Sequence, residues 1–569
     1  MALKGKTTFE LTNVETGEVA VTEDNNMLTN ALKYLLTSYP FDTDTTSVIR
    51  KLCLNRTDSY DTASSGLKRV MNMLTGGIIL FDSALEEDAD NIFPPAGVES
   101  VACGAPIAYS GINTHAGSYN GAESGPVTDE EGNTIGYKHV WDFATSQGNG
   151  HIASACLTTR EGGHIGAGVT YALKDDEYTV HKYGDRERLI DLEDLIGVRE
   201  VINSKDRDGT IPHIIPFVYA DYNKNYIATV QSQYAFYTGY LNPNNTSYNA
   251  NTIISKRNLT LELRAIPFTE MSIFSYYDTI GFNPYTTVTV EMPNTLKDKL
   301  DTWKSERASS AYIRYGCSCD EGFVYIWIYG GENSTSATPS SAIPENDIIH
   351  VWKINTEDFT STHLQIPNTT GHKLLCTNAS QHVGQQIYIT NNYMLVTSWE
   401  SSEVDGVVNY YASPYMIELS DPTNVIEVLN ADGSKPRSSS TTNSTAYSSH
   451  AYSNAYTIRN KVYYTQGLSC FVIDLVSGKR YYRHTLRRAE IVNNDTYGHA
   501  HALYVQNSPG LIVNLASYSG NSSTVYSCAI RRHPELLLTI NNLDTPVTKT
   551  TAQTMKVTYT LLEENDEEE

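Results

Sequence analysis

The chain has 569 residues and a mass of 63.1 kDa, with 41 Lys and Arg against 65 Asp and Glu. That length leaves room for roughly two to four domains at about 150 residues each. A formal charge of −24 with no basic stripe argues against nucleic-acid binding, which needs cations along the phosphates. No run reaches the ~18 apolar residues of a membrane-spanning helix, so no membrane span is expected.

Only 19% of the residues are charged, while 40 Tyr outnumber 13 Phe. Tyrosine suits strands and half-wet surfaces, where the ring is buried and the hydroxyl finds a partner. With abundant Ser, Thr and Asn, this composition predicts a mainly β protein with long polar turns. The eight cysteines lie scattered, paired in spacing only at Cys317-Ser-Cys319. Neither a disulfide framework nor a zinc site has that pattern, so reduced, buried thiols are expected. The first residues lack the apolar core of a secretion signal, which fits synthesis and assembly in a cytoplasm.

Residues 7–22, TTFELTNVETGEVAVT, alternate apolar and polar around a Glu-Thr-Gly-Glu turn and predict a β-hairpin. Asn26 then reads as the cap of a helix over 27–39, with Met27, Leu28, Ala31, Leu32, Leu35 and Leu36 on one face. Short strands and Gly-, Ala- and Ser-rich loops follow to about residue 160. From 165 to 532 apolar strands recur between turn signals. Three of them share a grammar: HVWKI (350–354) passes into Asn355-Thr-Glu-Asp, YMIEL (415–419) into Ser420-Asp-Pro-Thr, and CFVIDL (470–475) into Val476-Ser-Gly-Lys. A strand–turn–strand unit of roughly 50–60 residues predicts a β-propeller-like repeat domain, with a β-sandwich or barrel as the alternative. The segment 536–564 returns to strict alternation, with Met555, Val557, Tyr559 and Leu561 on one face. The expected architecture is therefore a discontinuous base domain, residues 1–160 plus 534–569, β with one short helix. The repeat domain, 165–532, is inserted into it. The Glu-rich tail supplies six acids, and such runs are normally solvated.

Chemistry is sparse. His499-Ala-His501 puts two imidazoles on one side of an extended segment, but a metal needs a third ligand and supporting groups. SKDRDGT (204–210) fails as a calcium loop, because position twelve is Phe217, and as an Asp box, because Asp208 stands where glycine is needed. No nucleophile elbow, P-loop or dinucleotide fingerprint occurs in its required context. A non-catalytic protein with no cofactor and no metal is expected. Two loops, 239–251 and 441–456, are dense in Tyr, Ser and Asn, the chemistry of adaptable recognition surfaces. Tyr240, Tyr248, Tyr447, His450, Tyr452 and Tyr456 are the candidate ligand-binding residues.

The segments KGKTTFELTNVETGEV (4–19), NNMLTNAL (25–32), WDFATSQGNGHIASACLTT (141–159) and TINNLDTPVTKTTAQTMKVTYTL (539–561) resemble virion structural proteins of tailed bacteriophages of Gram-positive hosts, minor structural or tail-fibre-like. The resemblance covers the base domain and carries no catalytic residue. It implies a virion component whose base domain contacts other virion proteins. The inserted domain would then touch the host surface, in the tail or baseplate, as a receptor-binding protein that attaches to carbohydrate. A homo-oligomer would add avidity. A neck, collar or head-decorating part, or a glycan depolymerase, are the alternatives.

Overall fold

The computed structural model describes residues 2–32, 75–94, 98, 100–111, 113–159, 163, 195–202, 217–221, 223–224, 226–230, 239–241, 257–265, 285–306, 313–320, 322–330, 342–375, 387–404, 407–430, 432–436, 438–440, 452–458, 460–466, 469–485, 499–506, 511–519, 524–532 and 536–564. The chain is mainly β and divides into two compact units. One comprises Met1–Val198, Pro509–Leu511 and Ile530–Glu569; the other comprises Arg199–Ser508 and Ile512–Ala529.

The first unit contains a closed nine-stranded barrel. Its wall runs through Gln553–Glu564, Ala2–Asn13, Val19–Leu28, Thr539–Lys549, Gly150–Thr159, Thr75–Phe81, Ser100–Gly104, Ala116–Tyr119 and Thr134–Phe143, which pairs back to Gln553–Glu564. Gly125–Thr128 joins the edge of Thr134–Phe143 outside this ring. The alternation seen in sequence sets the inner face. Phe9, Val557 and Trp141 stand in register across three strands, as do Leu11, Met555 and Phe143, and Thr7, Tyr559 and His139. All nine are buried. Small residues opposite the rings make the fit possible. A Cβ on Gly104 would lie 2.5 Å from the Trp141 ring, and one on Gly117 would lie 2.5 Å from Phe143.

The hairpin 2–28 turns where the sequence predicts, with Gly17 donating its N–H to the Asn13 carbonyl at 2.9 Å. The helix predicted from residue 27 starts later. Met27 and Leu28 pair with Ile540 and Thr539 as strand, and among the described residues of this segment the helix covers 30–32. Asn26 is no cap, since its Oδ1 accepts from the Thr7 hydroxyl at 3.0 Å. Closing the barrel satisfies these backbone groups and buries both side chains' neighbours, which outweighs local helix propensity. Residues 33–39 lie outside the described residues.

The second unit is built from antiparallel meanders whose strands neighbour one another in chain order. One is Phe217–Asp221, Tyr226–Val230, Asn258–Ala265 and Tyr285–Glu291. The next is Ile313–Cys319, Phe323–Tyr329, Ile348–Asn355 and Ser361–Pro367. Then come Tyr388–Thr390, Tyr393–Val404, Pro414–Glu418 and Val425–Glu427. A fourth meander is Ser453–Ile458, Lys461–Gln466, Ser469–Asp474 and Lys479–Thr485. His499–Gln506, Leu511–Ser519 and Thr524–Arg532 follow, with Leu195–Ile202 as the neighbour of the last.

The second, third and fourth of these meanders pack face to face. In the third meander Met394, Val396, Tyr415 and Ile417 point into a core shared with Tyr325, Trp327, Ile349 and Val351 of the second. The intervening residues Leu395 and Met416 point the other way, onto Val462, Tyr464 and Ile473 of the fourth. A strand buried on both faces reads as a continuous apolar run, which explains YMIEL and FVYIWIY. The helix Asn294–Glu306 links the first two meanders and buries Leu296, Leu300 and Trp303, the i, i+4, i+7 stripe of an amphipathic helix.

Candidate binding surface

The six residues singled out in sequence do not form one described surface. Tyr240 lies in the strand Gly239–Leu241, where its backbone pairs with Arg314. Tyr248, Tyr447 and His450 lie outside the described residues. Tyr452 and Tyr456 are corrections, because the Tyr- and Ser-rich stretch ends inside a sheet and not in a loop. Tyr452 is 2% exposed, its ring packs on Tyr464 at 5.2 Å, and its hydroxyl donates to the Val396 carbonyl at 3.3 Å. Tyr456 belongs to Ser453–Ile458 and stacks on Tyr463 with an interplanar angle of 8°. Both rings are core. A tyrosine on a buried strand and one on a contact loop look alike in composition.

The repeated grammar, by contrast, marks equivalent places. In each of three meanders the turn joins the third strand to the fourth, and an Asx side chain shapes it. Asn355 Oδ1 accepts the Glu357 N–H at 2.7 Å, and Asp358 Oδ1 accepts the Thr360 N–H and hydroxyl. Asp421 Oδ1 accepts from the Thr423 N–H and hydroxyl. Asp474 Oδ1 accepts the Val476 N–H at 2.8 Å. Backbone and hydroxyl donors from Thr360 hold the Asp358 carboxyl below its ordinary range, and donors from Thr423 do the same for Asp421. These exposed turns offer hydroxyls, amides and carboxylates on a fixed backbone. Such groups can hydrogen-bond a polar ligand with little ordering cost.

Inside, polar side chains tie strands together. Asp320 is 8% exposed. Its Oδ1 accepts from the Gly322 and Phe323 N–H groups, and its Oδ2 accepts from the Tyr325 hydroxyl at 2.8 Å and the Asn391 N–H at 3.0 Å. Asp347 takes the Tyr329 hydroxyl at 2.7 Å. His363 bridges Thr295 Oγ1 at 2.9 Å and His350 Nδ1 at 2.8 Å, with Trp303 edge-on to His350. Desolvation, and then the neighbouring His350, bring the His363 pKa down to about 4. In the barrel, His139 lies between Thr75 Oγ1 at 3.0 Å and the Tyr119 hydroxyl at 2.9 Å, and it stacks on Trp141.

The thiols are quiet. Burial raises Cys103, Cys156 and Cys317, and it pushes Cys319 up to about 12, far from the thiolate range of reactive cysteines. Among the described residues no group of three or more His, Cys, Asp or Glu is placed to hold a metal. The strand His499–Gln506 carries the His499 and His501 pair, and 204–210 lies outside the described residues. No helix of the described residues is long and apolar enough to cross a membrane.

No family model matches the chain, and no curated protein matches it. Among solved structures, the CNH domain of AfRom2 aligns over 48% of this chain and 76% of its own, at 7% identity and a TM-score of 0.16. A S. cerevisiae assembly of Dbp5 with Nup159 and Gle1 aligns over 65% of this chain and 94% of that one, also at 7% and 0.16. Likeness at that level carries no argument about fold or function.

Sequence reasoning overlooked Asp320, Asp347 and the His350–His363 pair. Only the Asp320-Glu-Gly turn signal between two apolar strands marked the first of them. Nothing local marked the histidines, which meet through sheet pairing between Trp352 and His363.

Proposed function

We propose that this chain is a structural protein of a tailed-bacteriophage virion, associated with the tail or baseplate. Its second unit would contact the host surface without catalysis, and its barrel would contact other virion proteins. The observation that carries the reading joins sequence to fold. The segments that resemble phage virion proteins, within 4–32, 141–159 and 539–561, all belong to the wall of one barrel, whose strands Ala2–Asn13 and Gln553–Glu564 pair from Ala2↔Glu564 to Asn13↔Gln553. A resemblance confined to one physical body is what a shared mounting module would leave. The second unit, outside the resemblance, is then free to vary with its ligand.

The finer architecture we infer for the second unit is β-propeller-like. Four chain-order meanders support it, the first of them continued through the Ala220↔Val505 pairing by His499–Gln506, Leu511–Ser519, Thr524–Arg532 and Leu195–Ile202. So does the third meander, whose two faces are both covered by neighbouring sheets. Propellers bury their sheets in this way and leave the connecting turns outside. The ligand proposed is wall or capsule carbohydrate, met by the Asx turns and by Tyr240, Tyr248, Tyr447 and His450. Many copies on a particle would compensate for weak single contacts. Immunogold labelling of intact particles with antibody to residues 165–532 tests this. Label at the tail tip, with antibody blocking adsorption, is the expected result; label on head or neck with adsorption unchanged would overturn the host-contact role.

A further inference from the structure

The hairpin at the start of the barrel has an open side. Strand Val19–Leu28 pairs with Ala2–Asn13 along Val19 to Asn26, whereas its pairing to Thr539–Lys549 is confined to Met27 and Leu28. At Asp24 the carboxylate Oδ2 accepts the Asp544 N–H at 2.8 Å, and the Asn25 N–H is taken by Asp24 Oδ1. From Val19 to Glu23, no ladder pairing on the outer edge occurs among the described residues. The direction of the free groups follows from parity. Glu18 turns its carbonyl to Asn13, so Ala20 and Thr22 face the first strand, and the N–H and C=O of Val19, Val21 and Glu23 face outward.

Such edges are usually blunted with Lys, Pro or a bulge, because they template pairing with another chain. This one carries valines, Val19 at 52% and Val21 at 58% exposed, with Val14 at 54% near the turn. The charge around it is mostly acidic, although Lys6 of the first strand pairs with Glu23 and Lys556 stands opposite Glu10. Residues 8–25 contain Glu10, Glu15, Glu18, Glu23 and Asp24 and no Lys or Arg. A second copy laid antiparallel on this edge would set these acids against their own kind.

We infer that this edge accepts, by strand addition, an extended segment of another protein that carries lysines among small and β-branched residues. Main-chain bonds to Val19, Val21 and Glu23 would supply affinity, the valines would receive apolar side chains on one face, and the acids would select the basic strand. The inference stands apart from the host-contact reading, since it concerns the barrel alone.

The test uses the full chain and a fluorescein-labelled, end-blocked peptide Lys-Val-Thr-Val-Lys-Val-Thr, read by anisotropy. Its partners are the same peptide N-methylated at alternate amides and a peptide with Glu for Lys. Saturable binding is expected, at least about tenfold weaker for both control peptides. Val21→Pro removes an N–H that faces the open edge and leaves the ladder to the first strand intact. It should therefore lose binding by at least about tenfold with an unchanged circular-dichroism spectrum. Val21→Thr, which keeps the N–H, should bind and guards against a folding defect. No saturable binding up to about 1 mM would overturn the inference, as would equal binding of the N-methylated peptide. A wild-type dimer in light scattering that Val21→Pro makes monomeric would assign the edge to a second copy and overturn the basic-strand partner.

Discussion

Lowering the pH should loosen the docking of the helix Asn294–Glu306, and the His350–His363 pair sets where. Between two neutral imidazoles one nitrogen donates and the other accepts. A proton on His363 would make both of its nitrogens donors, 2.8 Å from His350 and in a half-buried site. Its pKa near 4 lies below the unfolded value of about 6.5, so the unfolded chain binds the extra proton first. Stability from this group is therefore complete above about pH 6.5 and is lost as the pH falls toward 4. Each tenfold in proton affinity is worth about 1.36 kcal/mol, which sets a ceiling near 2 kcal/mol at pH 5. Partial solvent exposure reduces that to about 1 kcal/mol. Hydrogen exchange of 294–306 and 361–367, corrected for intrinsic rates, should show that loss between pH 7 and pH 5. His363→Gln should remove it, because the amide can still bridge Thr295 and His350 but does not titrate. An identical pH dependence in the variant would refute the reasoning.

Tyr452→Phe should cost about 1 kcal/mol, the usual worth of a buried hydroxyl bond, because it removes the donor to the Val396 carbonyl. Denaturant unfolding measures this, and particle adsorption to host cells should not change. In the barrel, Lys549 is 1% exposed and donates to the carbonyls of Ala144 and Thr145 and to Asn149 Oδ1. Lys549→Met should destabilise the barrel by about 1–3 kcal/mol by stranding those acceptors. Burial brings its pKa down to about 8, so wild type should gain stability relative to Lys549→Met as pH rises from about 8 to 10.5. Parallel thermal melts of the two proteins across that range check the sign.

Strand character was legible wherever one face of a strand meets solvent. The residues 555–561 alternate because their odd positions fill the barrel and their even positions do not. The Asx turns after 354, 419 and 475 were visible because they depend on local hydrogen bonding alone. Two elements escaped for different reasons. Met27 and Leu28 suit a helix face as well as a strand, and their partners stand more than 500 residues away. The helix Asn294–Glu306 carries a Leu296, Leu300, Trp303 stripe only two turns long, set in a run of strands. Tyr452 and Tyr456 show the limit of composition, since Ser and Asn around a tyrosine do not tell on which side of a sheet its ring lies.

The barrel wall pairs Ala2–Asn13 with Gln553–Glu564, which has a consequence for how the protein is made. A ribosome adding about 5–20 residues per second needs on the order of half a minute to two minutes to travel from one strand to the other. Throughout that interval the leading hairpin waits with its second edge bare, while the whole intervening unit can emerge and fold. Barrel closure thus waits until Gln553–Glu564 has emerged, and a nascent chain stalled before residue 553 would present two unsatisfied strand edges to any holdase nearby.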